Sequence, residues 1–331
     1  MALYSWQQKQ VALLQSLEEQ ERLPHALIFS GPKGIGKAEF VAWFAAYLMC
    51  QETANKPCGV CQNCTLIESD SHPDFRHVTI LKDAKTGKAK KEIGIDQIRD
   101  LIQFVSLSQA GSGYKVVVIS PADSLNISSA NSLLKLLEEP QGQTIILLVA
   151  DQVEKLPATI RSRCQIINMS LPKTEEAVAW LAKQEDFTGD EVMALKMAQG
   201  APLAALRLSD ELSEGGVDYN GVITDCLNLM FNRRPGVLEA SQSWQRCPIS
   251  VLIEWQLSLS RDLIRLINGV PKRHFENQNK YEALQKVRDR LNLSKVLVLY
   301  DYLTDIYAKT DAPLRAETFR EQLALRWKQS L

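Results

Sequence analysis

The stretch HALIFSGPKGIGKAEF, residues 25–40, decides the fold of the first half of this chain. A short apolar run, HALIFS, leads into a glycine-spaced turn and then into an apolar helical pattern. That is the strand, loop and helix order of a phosphate-cradling loop. In such a loop the backbone N–H groups and the start of the following helix hold an anion, and a lysine reaches the terminal phosphates. Gly31, Gly34, Gly36 and Lys37 stand at the required spacing. The position after the lysine calls for a hydroxyl to ligate magnesium, and here it is Ala38.

Three more strand candidates follow: RHVTIL (76–81), KVVVIS (115–120) and TIILLVA (144–150). Between them lie the amphipathic stretches IGIDQIRDLIQFV (93–105) and SLNISSANSLLKLLEE (124–139), the latter stopped by Pro140, which cannot continue a helical hydrogen-bond ladder. The alternation predicts an α/β fold with a parallel sheet flanked by helices. Phosphoryl transfer also needs an acidic pair at the end of a later buried strand, one carboxylate for the metal and one for the attacking water. KVVVIS instead runs on into Ser120 and Pro121, and the first acid is Asp123. Two losses at one site predict that this chain does not hydrolyse ATP, because positioning and charge neutralisation are nearly all that such an enzyme supplies. Nucleotide binding without hydrolysis stays open, against a loop that packs empty and keeps its glycines for the turn.

Four of the seven cysteines crowd into CQETANKPCGVCQNC as Cys50, Cys58, Cys61 and Cys64. Two overlapping C-x2-C steps let a turn aim thiolates at one ion, and Cys50 at the end of the preceding helix supplies the fourth corner of a tetrahedron. The spacing predicts a structural zinc site with no position left for water. An iron–sulfur cluster is the rival reading, but its usual C-x3-C-P element is missing. Cys164, Cys226 and Cys247 are isolated and read as buried apolar residues.

Composition bounds the rest. The 331 residues favour two or three domains, and 45% hydrophobic and 23% charged residues with a net charge of -1 describe a globular chain without a dominant nucleic-acid or membrane signature. The start, MALYSWQQKQ, lacks a secretion-signal pattern, and no apolar run approaches a membrane span, so a cytoplasmic protein with reduced thiols and no membrane partner is expected. After LPKTEEA (171–177) the strand signal disappears. AVAWLAKQ, DEVMALKMAQG and PLAALRLSDEL read as three short helices, ISVLIEWQLSLSRDLIRLI (249–267) and FREQLALRW (319–327) as later ones, with a polar hinge at SEGGVD near residue 213. The lysine run KDAKTGKAKKE (82–92) reads as a solvated loop or as a phosphate-backbone contact; no aromatic residues interleave to stack on bases.

Taken together, LPHALIFSGPKGIGK, the cysteine cluster, NSLLKLLEEP (131–140) and TIRSRCQ (159–165) resemble the clamp-loader branch of the AAA+ family over residues 1 to about 210. The four-cysteine insertion narrows the resemblance to loader subunits of bacterial DNA polymerase III. It implies a RecA-like doubly wound sheet over 1–170 with the zinc module at 50–64, a three-helix lid over 171–212, and an all-α collar over 213–331 that assembles a ring. In that family the arginine of the SRC motif reaches the ATP site of the neighbouring subunit, and here it falls on Arg163. A fixed positive charge placed there stabilises the γ-phosphate as charge shifts in the transition state. The family's polar sensor falls on Ala150 and its basic sensor on Leu203, so the resemblance implies a stator with a dead site and an intact finger. Its implied partners are the gamma/tau motor subunits and the delta subunit, with the sliding clamp and primed DNA reached through the complex. A gamma/tau-type motor with an unusual site is the alternative, and a DNA-contacting role for the cysteine module and lysine loop is a third.

Overall fold

The computed structural model describes residues 3–52, 55–82, 87, 90–108, 113–140, 142–185, 187, 191–215, 219–307 and 316–331. Five strands, β1 (Ala26–Ser30), β2 (Phe75–Val78), β3 (Lys115–Ile119), β4 (Thr144–Ala150) and β5 (Gln165–Asn168), form one sheet in the order β2-β3-β4-β1-β5. Every pairing is parallel. The four strands expected from the sequence are present, and β5 is an addition to them.

The helices of this part are α1 (Gln8–Glu19), α2 (Lys37–Met49), α3 (Gln62–Glu68), α4 (Ile95–Ser106), α5 (Ile127–Glu138), α6 (Ala158–Arg161) and α7 (Thr174–Leu181). Successive strand residues point to opposite faces, so each face builds its own core. Leu27, Phe29, Val116, Val118 and Leu147 join Phe40, Val41 and Phe44 of α2 on one face. Ala26, Ile28, Val117, Ile119 and Ile146 join Ile98 and Leu101 of α4 and Leu133 and Leu137 of α5 on the other. Central strands covered on both faces need continuous apolar runs, which is what KVVVI and TIILLVA supply. Two polar devices fix the helix ends: the Asn126 side chain accepts from Ser129 N at 2.9 Å to start α5, and buried Lys115 donates to Phe104 O and Leu107 O at the end of α4.

The contacts divide the chain into two compact units, Met1–Leu181 with Gly200–Ala204, and Ala182–Gln199 with Ala205–Leu331. The stretch expected as a lid, 171–212, is shared between them. The hinge near SEGGVD falls partly outside the described residues, as does most of the lysine run at 82–92.

The second unit is helical: α8 (Glu191–Met197), α9 (Pro202–Gly215, whose first turn belongs to the first unit), α10 (Tyr219–Met230), α11 (Val237–Ser243), α12 (Ile249–Ile267), α13 (Tyr281–Gln285), α14 (Leu293–Tyr307) and α15 (Ala316–Lys328). Trp244, Trp255 and Trp327 sit in its core, and Trp327 Nε1 donates to Gln256 Oε1 at 2.9 Å. A charged network crosses that apolar mass. The fully buried Asp262 accepts from the backbone of Glu276 and Asn277 and pairs with Arg265 at 2.9 Å, while Glu276 pairs with Arg261 and Arg265. Burial works against the Glu276 carboxylate, but the two guanidinium groups outweigh it and hold its pKa below the usual value. Among the described residues no helix is long and apolar enough to cross a membrane.

Because the buried Asp262 carboxylate closes two backbone N–H groups and one guanidinium, Asp262→Ala is expected to destabilise the helical unit by about 2–4 kcal/mol. Urea unfolding followed by tryptophan fluorescence measures it.

Candidate functional site

The loop expected to cradle phosphate leaves β1 at its carboxyl end, where ligand sites of parallel sheets lie. Gly34 and Gly36 take positive φ values of 82° and 84°, open to glycine and strained for other residues. The loop is gripped from outside. Gln7 Nε2 donates to Ile35 O and Gly36 O, Trp6 Nε1 donates to Ile35 O, and Leu203 N donates to Gly34 O. A Cβ on Gly31 would stand 2.0 Å from Met169 O, and one on Gly36 would stand 2.4 Å from the Tyr4 ring. Both glycines are therefore required by neighbours inside the protein.

Lys37 opens α2, and its side chain is only 4% exposed. Its Nζ donates to Gly31 O at 2.7 Å and Pro32 O at 2.6 Å and forms an ion pair with Asp151 Oδ1 at 2.7 Å. The ammonium has three N–H groups and three anionic or carbonyl oxygens around it. Ala38 presents a methyl group on the exposed side of the first turn. Asp123 is turned toward the exit of β4, accepting from Gln152 N at 3.2 Å. Ala150 and Leu203, expected from the resemblance at the sensor positions, are both buried and apolar.

Arg163 follows α6 and is placed differently. Its side chain is 37% exposed; Nη1 donates to Thr159 O at 3.0 Å and Ser162 Oγ at 3.3 Å, and Nη2 lies 2.7 Å from Glu138 Oε1. Burial pushes the neighbouring Cys164 thiol up to about 12, so it stays neutral and acts as a packing group. Burial likewise raises Cys226 and Cys247.

The four clustered cysteines converge. Cys50 caps the end of α2, Cys61 precedes α3, Cys64 lies in its first turn, and all four sulfurs stand within 4.8 Å of one another. The Cys50–Cys61 and Cys58–Cys64 sulfur pairs are each 4.0 Å apart. Cys58 N and Cys61 N donate to the sulfurs of Cys50 and Cys58, contacts that favour the thiolate form. Burial opposes ionisation at both Cys61 and Cys64; N–H and thiol donors bring Cys61 down to about 6, whereas Cys64 is pushed up to about 12. This donor set fits one metal ion, and binding it would release protons.

The sequence family described as "DNA polymerase III, delta subunit" matches residues 6–173. The DNA polymerase III subunit delta' of Pseudomonas aeruginosa is 30% identical over 98% of this chain and 97% of its own. This chain belongs to the delta-prime family of DNA polymerase III subunits. The delta' subunit of Haemophilus influenzae is 34% identical over 73% of this chain and 71% of its own, and that of Escherichia coli is 32% identical over 81% and 78%. In this member of the delta-prime family the residues missed by sequence reasoning are the partners of the expected ones. Asp151 and Glu138 meet Lys37 and Arg163, while Tyr4 and Gln7 close the loop. The acids lie at the ends of quoted motifs, one residue past TIILLVA and inside LLEEP. Tyr4 and Gln7 carry no local signal.

A lysine waiting for a ligand can be removed at no cost to the free fold, whereas one tying the loop together cannot. Lys37→Ala is expected to lower the melting temperature of the nucleotide-free chain by about 2–4 °C or more, the equivalent of at least about 1 kcal/mol. For the cysteine cluster, Cys61→Ser is expected to abolish the bound metal equivalent found by elemental analysis of the unaltered chain, and to lower the temperature at which the first unit melts.

Proposed function

We propose that this chain is the non-hydrolysing stator of the DNA polymerase III clamp loader, lending Arg163 to the ATP site of an adjacent gamma/tau motor subunit. The observation that carries this reading is a contrast in exposure: Lys37 is 4% exposed and saturated by its own protein, while Arg163 is 37% exposed at the surface. The chain's own loop lacks the magnesium hydroxyl at Ala38 and has no acid at Ser120 or Pro121, so it supplies none of the metal positioning that hydrolysis needs. The guanidinium brings a permanent charge to a γ-phosphate held by another chain, a contribution to phosphoryl transfer that can come from outside the site.

The remaining assignments follow the same reading. The ion at Cys50, Cys58, Cys61 and Cys64 is structural zinc: Zn–S bonds of about 2.3 Å put tetrahedral sulfurs about 3.8 Å apart, close to the 4.0 Å pairs, and leave no room for the bridging sulfides of an iron–sulfur cluster. Residues 171–212 act as the lid and 213–331 as the collar through which the chain joins gamma/tau and the delta subunit in the cytoplasm. Through that complex it serves the sliding clamp and primed DNA.

The test is the ATPase rate of a reconstituted loader stimulated by clamp and primed DNA. Arg163→Ala is expected to cut the rate, by about 10³-fold at a fully dependent site and by a smaller share of a multi-site total. Lys37→Ala in the assembled complex is expected to leave it unchanged. The reverse result would make the chain a motor of the gamma/tau type.

A further inference from the structure

The motifs NSLLKLLEEP and TIRSRCQ are far apart in sequence, and the stator reading uses only the second. They meet in the fold. Glu138, the last residue of α5, lies 2.7 Å from Nη2 of Arg163, and Thr159 O and Ser162 Oγ take Nη1 from the other end. The guanidinium is thus held at both terminal nitrogens, which fixes the plane of the fork. Nε carries no hydrogen bond to the described residues, and more than a third of the side chain faces solvent.

Glu138 is an odd residue to find there. The last turn of a helix carries the negative end of its dipole and disfavours a carboxylate. Helix stability gives no reason for an acid at this position, and neither does packing, since the side chain is 51% exposed. A residue that breaks a local rule at a surface is accounted for by what it holds.

We propose that Glu138 is the positioning residue of Arg163, setting the guanidinium in its working orientation before the neighbouring subunit's ATP arrives; this rests on the finger reading above. An unrestrained arginine samples many rotamers and must give up that freedom on reaching a phosphate. Glu138 and the Thr159 carbonyl remove much of the freedom in advance, and the free edge remains for the phosphate. Solvent exposure keeps the Glu138 contact weak, so it orients the charge without cancelling it.

The experiment is the clamp- and DNA-stimulated ATPase of the reconstituted loader carrying Glu138→Gln, Glu138→Ala, Arg163→Ala, or Arg163→Ala with Glu138→Gln. Each complex is checked for complete assembly by gel filtration. Glu138→Gln and Glu138→Ala are expected to lower kcat about twofold to fivefold with KM for ATP unchanged. The double variant is expected to be no slower than Arg163→Ala alone. A structural fault in α5 would add to the loss of the finger, whereas a positioning residue has nothing left to position once Arg163 is gone. A Glu138→Gln or Glu138→Ala rate equal to or above the unaltered one, or a double variant slower than Arg163→Ala, overturns the proposal and leaves the finger reading standing. An Arg163→Ala loader with full activity removes both.

Discussion

β1 is hydrogen-bonded along both edges and covered on both faces, so the chain that follows it leaves the sheet at its carboxyl end. The phosphate loop starts there. Asp123 and Asp151 leave the sheet at the same edge because β3 and β4 run parallel to β1. Parallel pairing thus gathers residues 31–37, 120–123 and 150–151 without any of them being close in sequence. The apolar runs that enforce the pairing are therefore upstream of every chemical property of that edge.

What the edge holds is a closed set of charges. A buried ammonium left alone is expensive, and its cost falls when a carboxylate and carbonyl oxygens surround it. Lys37 meets this need with Asp151, Gly31 O and Pro32 O, all from its own chain. Arg163 takes the opposite course, with a half-exposed carboxylate as its ionic partner and solvent on one side. One cation is enclosed by its own chain and the other keeps a side open to solvent.

The legible part of this structure is the part written at short range. KVVVI, TIILLVA and the 249–267 helix declare themselves by period, and C-x2-C-x2-C declares its convergence by spacing, so these were readable from residues alone. β5 was not: QIIN is a four-residue edge strand with three exposed positions, and its strand character comes from pairing with β1. The partners of the site residues were equally silent. Nothing local marks Asp151 as the counter-charge of Lys37, Glu138 as that of Arg163, or Asp262 as the centre of a buried network, because each pairing is made by tertiary folding. The glycines read as phosphate-loop residues stand at the carboxyl end of β1, yet two of them are demanded by Met169 O and the Tyr4 ring, which the motif does not contain.

The contacts around Gly31 and Gly34 also bear on how the chain is made. One side of β1 is closed by β5, and the loop is completed by Met169 against Gly31 and by Leu203 N on Gly34 O. All of these lie beyond residue 164, long after the loop itself has emerged from the ribosome. Until they arrive, β1 is an open sheet edge, a surface that invites pairing with other chains. The loop can reach its final shape only in a protein synthesised through the start of α9, so its geometry doubles as a record that the first unit has been built to its end.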